Sequence, residues 1–187
     1  LIMKNTFILT LVIIISSIII SCSSCKKNID PQVDNPYGLP NATQEGKNTL
    51  GFLLNGQPWT PKGQLGTSAN LTFYYDATFS AGVFNIGAYR ILDNQGSMEK
   101  INIFADTIQN AQRISFPTKK LGLIFRNATN TNCDFLTAES TTKVTGFIDI
   151  KKLDKVAHIF SGEFEFTLTK TNCDTVKITQ GRFDLKF

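Results

Sequence analysis

The chain has little histidine, little cysteine and little excess charge, and each shortage closes off a class of function. Its one histidine among 187 residues, His158, rules out a multi-histidine metal centre. Any serine–histidine–aspartate arrangement would hang on that residue, which lies between Ala157 and Ile159 in a predicted strand and reads as a packed or rim histidine. Basic residues outnumber acidic ones by 19 to 15, and removing Lys4 with the leader leaves 18 against 15, a net charge of +3. The lysines are interleaved with acids, as from Asp149 to Lys155, so no stripe tracks a phosphate backbone and nucleic acid is not an expected partner. Four cysteines, with no close Cys-x-x-Cys in the domain, supply neither a metal cluster nor a dense disulfide framework. No metal and no cofactor is expected, and no helical period persists long enough to compete with strands.

What is present begins with an address. Met3 and Lys4 precede an apolar run from Phe7 to Ile20, which ends at Ile19-Ile20-Ser21-Cys22. The run is short for a spanning helix, and a small residue before a cysteine is the bacterial lipobox; a plain secretory leader or short membrane anchor is the competing reading. Leu1 and Ile2 lie upstream of the expected start at Met3. Cys25 is the poorer cleavage site because its minus-three position would be Cys22; Cys22 is therefore the expected lipid-bearing residue and Cys25 is spare. Two or three acyl chains, at about 0.8 kcal/mol per buried methylene, would hold the protein on a membrane for its lifetime. The expected location is the cell envelope, lipid-anchored to the outer membrane. Lys26 and Lys27 at the head of the tether, in place of an acidic run, favour the periplasmic side over the cell surface.

The expected organisation is a signal peptide over 1–21, a lipidated flexible tether over 22–49 and a single β domain over 50–187. The tether is assigned from its serines, lysines and asparagines with Pro31, Pro36, Gly38 and Pro40, which offer too little apolar surface to fold alone. Beyond it the period is two. Leu71, Phe73 and Tyr75 alternate with Thr72, Tyr74 and Asp76; Phe84, Ile86 and Ala88 with Asn85, Gly87 and Tyr89; Ile101 and Ile103 with Lys100 and Asn102. Phe164, Phe166 and Leu168 alternate with Glu163, Glu165 and Thr167, and Phe183, Leu185 and Phe187 with Arg182, Asp184 and Lys186. Further strands are expected over 50–54, 121–126 and 143–151. The predicted fold is all-β, an antiparallel β-sandwich or a partly open β-barrel with one apolar and one wet face per strand.

Asn55-Gly56 supplies the two positive φ angles of a type I′ turn, so a hairpin should open the domain, with Pro58 and Pro61 confining its second arm to an edge. Trp59, the only tryptophan, reads as core and not as a ligand platform. A repeated Gly-x-Phe-x-apolar pattern at Gly82, Gly162 and Gly181 reads as glycine at a strand start, permitting a bulge or tight entry.

Cys133 and Cys173 share one context, Thr-x-Thr-Asn-Cys-Asp, and are the expected disulfide partners in an oxidising compartment. Glu163 and Glu165 share a strand face about 7 Å apart, which would suit paired glycosidase carboxylates but fits an ordinary solvated surface better. The oxygen-rich loop from Asp93 to Glu99 invites calcium, yet lacks the alternating acids of an EF-hand and is ordinary turn chemistry. Asp106-Thr107-Ile108 and Asp174-Thr175-Val176 match a short envelope O-glycosylation signal.

Leu39-Pro40-Asn41-Ala42-Thr43-Gln44-Glu45-Gly46-Lys47-Asn48-Thr49, followed by Leu54-Asn55-Gly56-Gln57-Pro58-Trp59, joins with Ser161-Gly162-Glu163-Phe164 and Ile178-Thr179-Gln180-Gly181-Arg182-Phe183-Asp184. In these stretches the chain resembles a family of Bacteroidota-type lipoproteins of unknown function. The resemblance implies envelope residence and a β domain and carries no catalytic residue over. Relatives carry cysteine where Phe52 stands here, so a family disulfide through that position is not available to this chain. Three functions follow as expectations: noncatalytic binding of an envelope protein, glycan or small molecule; a β-barrel carrying a lipid-like ligand among its 15 phenylalanines; and, third, a hydrolase using Glu163, Glu165 or His158.

Overall fold

The two-residue alternation becomes eleven strands in the computed structural model, which describes residues 37–187 apart from Thr129. In chain order they are β1 (Thr49–Leu54), β2 (Gln57–Trp59), β3 (Leu71–Asp76), β4 (Val83–Ile91), β5 (Met98–Ala105) and β6 (Arg113–Ser115). They continue as β7 (Leu121–Arg126), β8 (Phe135–Leu136), β9 (Thr142–Asp154), β10 (Ile159–Lys170) and β11 (Val176–Lys186). A six-stranded sheet runs β2-β1-β11-β10-β9-β6 and a five-stranded sheet runs β3-β4-β5-β7-β8. Every strand pair is antiparallel. The sheets pack face to face without closing into a barrel, so of the two expected architectures the sandwich is the one formed.

The core between the sheets is filled with rings. Phe160 of β10 stacks on Phe73 at 4.9 Å between centroids and meets Phe84 at 5.0 Å and Phe183 at 5.2 Å. Phe164 lies 5.7 Å from Phe166, and Phe52 stacks on Trp59 at 4.6 Å. Each of these side chains except half-buried Phe73 is buried, contributing roughly 2–3 kcal/mol through apolar surface removed from water. Trp59 is core, as expected, but it also carries a polar tie: its Nε1 donates to Glu99 Oε2 at 2.8 Å. Arg90 Nε and Nη2 donate to the same oxygen at 3.1 and 2.8 Å, and its guanidinium stands 5.6 Å from the indole centroid. The short edge strand β2 is thereby bound to β4 and β5 of the opposite sheet.

Local sequence explains the opening hairpin. Asn55 and Gly56 take φ of 49° and 83°, and Pro58 sits on β2 at the sheet edge, where its missing N–H breaks no interior ladder. The repeated glycines are placed differently from expectation. Gly82 does precede β4, but Gly162 and Gly181 are mid-strand, paired across the sheet with Phe183 and Phe164 respectively. A Cβ on Gly162 would stand 2.8 Å from Phe183 Cζ, and one on Gly181 2.5 Å from Phe164 Cδ2. Neither glycine starts a strand, but the expected irregularity is present: the β9–β10 register shifts at Ser161–Gly162, the β10–β11 register shifts next to the Phe164–Gly181 pair, and a Cβ on Gly162 would also run into the Asp149 carbonyl of β9. His158 is likewise not in a strand: it takes φ of 57° in the β9–β10 turn and packs edge-on to Phe187 at 5.1 Å.

The segment expected to be free tether up to residue 49 is docked in its second half. Leu39 is 3% exposed, and Pro40 lies over Gly51, where an added Cβ would approach its Cδ to 2.5 Å. Lys152 Nζ donates to Gln44 O at 3.3 Å. Asp184, on the polar phase of β11 and expected to be wet, is 1% exposed because this strap crosses it. Its carboxylate accepts from Thr43 Oγ1 at 2.6 Å and from the backbone N–H groups of Glu45, Gly46 and Lys47 at 3.1, 2.7 and 3.3 Å. Polar composition concealed the docking because it is made by backbone donors and not by an apolar stripe.

Candidate functional site

The residues singled out from sequence do not meet in one place. Cys22 and Cys25 lie outside the described residues. Cys133 and Cys173 form a disulfide with Cα atoms 5.6 Å apart, joining the β7–β8 connection of one sheet to the β10–β11 turn of the other. Each sulfur lies 3.9 Å from the carbonyl oxygen of the asparagine preceding the other cysteine, Asn172 or Asn132, so the repeated Asn-Cys context has a spatial counterpart. Glu163 and Glu165 point into solvent on β10, where Glu163 lies 3.7 Å from Lys151 Nζ, whereas His158 sits in the β9–β10 turn against Phe187. Asp93 closes its own turn by accepting from the N–H groups of Gln95 and Ser97. Thr107 and Thr175 are exposed in loops. Among the described residues no three or more His, Cys, Asp or Glu side chains are gathered as a metal site would need, and no helix is long and apolar enough to cross a membrane.

A different surface is built for contact: the outer face of the five-stranded sheet. Strand register places Tyr74, Asn85, Phe104 and Gly122 in one row across β3, β4, β5 and β7, and Thr72, Gly87, Asn102 and Ile124 in the next. Tyr74, Phe104 and the nearby Phe79 are 56%, 38% and 65% exposed, on a face that otherwise follows the polar phase. Aromatic rings gathered in the open on a wet sheet face contribute little to folding and much to binding. Gly122 has no room for a side chain, because a Cβ there would run into the Phe104 ring; the glycine lets that ring lie down on the sheet. Above the rings is a hollow of about 620 Å³, with Asn85, Asp106, Lys119 and Lys120 on its walls.

Phe79 is held outward by a strained turn. Ser80 and Ala81 take φ of 45° and 56°, left-handed values that cost a non-glycine residue, and they persist because the turn is pinned on both sides. Thr107 N donates to Ser80 O at 3.2 Å, Ile108 N to Gly82 O at 2.9 Å and Gly82 N to Phe79 O at 2.8 Å. Asp76 completes the support: it accepts from Thr78 Oγ1 at 2.7 Å, Thr78 N at 2.8 Å, Phe79 N at 3.3 Å and Tyr74 Oη at 3.1 Å. One carboxylate thus fixes two of the three rings.

The Thr78 hydroxyl, then its amide, holds the Asp76 carboxyl down at about 2, with Tyr74 and Phe79 N adding to the effect against a smaller opposing effect of burial. Because this value is depressed in the folded state, the contribution of Asp76 is complete above the ordinary carboxylate range and is lost as pH falls through about 2. The amide resonances of Thr78 and Phe79 are therefore expected to stay fixed from pH 8 to pH 4 and to move only near pH 2. A midpoint near pH 4 would show that the turn is not held as described.

Chemically, the face offers flat apolar platforms beside amide, hydroxyl, ammonium and carboxylate groups, which suits a ligand that is itself flat, apolar on one side and rich in hydroxyls. Phe104 and Phe79 escaped the sequence reading. The available signal was a phenylalanine on the polar phase of β5, in register with a tyrosine on the polar phase of β3. Comparison of the chain with protein-family models, curated proteins and solved structures returns no match.

Proposed function

We propose that this chain is a noncatalytic, lipid-anchored module of the cell envelope, and that the outer face of its five-stranded sheet binds a glycan. The observation that carries the reading is the row Tyr74–Asn85–Phe104 with Phe79 beside it, three exposed rings around a hollow of about 620 Å³. A pyranose turns C–H bonds to one side and hydroxyls to its rim, so rings take the C–H face while Asn85 and the surrounding side chains take the hydroxyls. The lipobox at Cys22 supports the anchored location, and the resemblance to Bacteroidota-type lipoproteins supports envelope residence. At the outer membrane, Lys26 and Lys27 at the head of the tether favour the periplasmic side over the cell surface. The reading of a barrel with a lipid-like guest has less support, since phenylalanines already fill the space between the sheets. A hydrolase built on Glu163, Glu165 and His158 would need a convergence that those positions do not make.

Three variants test the two halves. Cys22→Ala is expected to release the protein from the membrane fraction; retention there would remove the anchor. Tyr74→Ala and Phe104→Ala, which change exposed rings, are each expected to weaken glycan binding about tenfold on an array or by calorimetry while the melting temperature holds. Full binding after loss of both rings would move the site elsewhere.

A further inference from the structure

The hollow over the rings continues. Thr118 and Thr137 line it and also line a second hollow of about 310 Å³, whose other walls are Phe116, Pro117, Thr142, Lys143 and Val144. The two adjoin at Thr118 and Thr137, so their linings together run from the Phe79 turn to the start of β9. A single sugar ring needs only part of that length, so the groove suits a chain.

Its polar lining is one-sided. Lys119, Lys120 and Lys143 are exposed, and none has an ion-pair partner among the described residues, whereas the only carboxylate in the lining is Asp106. Asp76 is turned into its own loop, and Glu139 beyond the boundary is held by Lys170 at 3.1 Å. The hydroxyls lean the same way. Thr118 Oγ1 already accepts from Lys120 N at 3.1 Å and Thr137 Oγ1 from Leu123 N at 3.0 Å, so each has its O–H left to donate. Thr142 Oγ1 is buried without a partner at the far end. Asn85 accepts at Oδ1 from Asn102 Nδ2 at 3.4 Å, which leaves its own NH₂ as donor. A groove of three ammonium groups and a line of donors, against one acceptor acid, is complementary to a ligand that brings negative charge and acceptor oxygens.

We infer that the groove takes an anionic polysaccharide, a chain of uronate-bearing sugars lying across the rings with its carboxylates toward Lys119, Lys120 and Lys143. This rests on the glycan reading and adds the charge and the chain length to it. The stacked sugar sits on Tyr74 and Phe104, and following units pass Thr118 and Thr137 toward Lys143. Attraction between exposed charges is screened by salt, so affinity falls as ionic strength rises, while stacking on the rings persists.

The test uses the full-length lipoprotein in detergent and oligogalacturonides of two and six units, each beside its carboxyl-reduced counterpart, which differs only in lacking the carboxylates. Calorimetry is expected to give the acidic hexamer at least tenfold tighter binding than the reduced hexamer at low salt, and a smaller preference for the dimer. Replacing Lys119, Lys120 and Lys143 together with glutamine should bring acidic and reduced hexamers to within about twofold of each other. Lys143→Gln alone should lower hexamer binding and spare the dimer. Equal wild-type affinity for acidic and reduced hexamers overturns the charge inference and leaves the glycan reading standing. A preference that survives the triple substitution overturns the assignment to these lysines. Binding of neither hexamer overturns both the inference and the glycan reading on which it rests.

Discussion

Asp184→Ala is expected to lower the melting temperature by roughly 10 °C and to make residues 43–47 open to protease, without altering the strand pairing of β10 and β11. The carboxylate is 1% exposed and faces four donors, the hydroxyl of Thr43 and the N–H groups of Glu45, Gly46 and Lys47. Burial works to raise its pKa, and the Thr43 hydroxyl with the Gly46, Glu45 and Lys47 amides overcomes burial and holds it below the ordinary value. Its stabilising contribution is therefore present at neutral pH, complete above the ordinary carboxylate range, and lost as pH falls through the lowered value. Bonds to a charged acceptor contribute about 1.5–3 kcal/mol each, but the strap donors regain water when it lifts, which leaves a net cost of about 3 kcal/mol. Asp184→Asn should cost nearly as much, because donors approach both oxygens and the amide NH₂ would face one set of them. Hydrogen exchange at Glu45, Gly46 and Lys47 decides the matter: unchanged rates in Asp184→Ala would mean that the strap is held by something else.

The strap marks a boundary of what sequence discloses. Strands that bury one face declare themselves by alternation, and β3, β4, β5, β10 and β11 follow the phase read from their residues. The hairpin at Asn55-Gly56 is legible because φ > 0 at two successive positions demands those residue types. The disulfide is legible because two similar loops were built to meet. A polar strap held through backbone donors leaves no periodic trace, and its acceptor is 141 residues from Thr43 along the chain. The same limit applies to Gly162 and Gly181: the ring each one accommodates belongs to the neighbouring strand, so the reason for the glycine appears only with the register. Alternation places Tyr74 on the wet face, yet its significance depends on Phe104 two strands away and Phe79 beyond the strand end, a relation that requires β3, β4 and β5 to be laid side by side. Lys119 and Lys120 stand together in the sequence, but only the fold shows that Lys143 lines the hollow adjoining theirs.

Cys133→Ser and Cys173→Ser are each expected to destabilise the domain by about 4 kcal/mol, the largest single effect we anticipate. The bond closes a separation of 40 residues, spanning β8, β9 and β10, and a link across that many residues restricts the unfolded chain far more than the folded one. It also fastens two turns on different sheets. The Cys133 side is a short 3-10 turn, Thr131–Cys133, capped by Asn130 through its Oδ1 on Asn132 N at 3.1 Å. Without the bond this loop loses its covalent tie to the other sheet and keeps the hydrogen bond from the Lys170 ammonium to Asp134 O at 2.9 Å. The groove over Tyr74 and Phe104 lies on the outer face of β3, β4, β5 and β7, so glycan affinity at room temperature should change less than twofold while the melting temperature falls by on the order of 10 °C. A reductant supplies the control. It should lower the melting temperature of the wild-type protein to that of Cys133→Ser and leave the variant where it is. If reduction shifts the variant as much as the wild type, or shifts neither, the stability does not come from this bond.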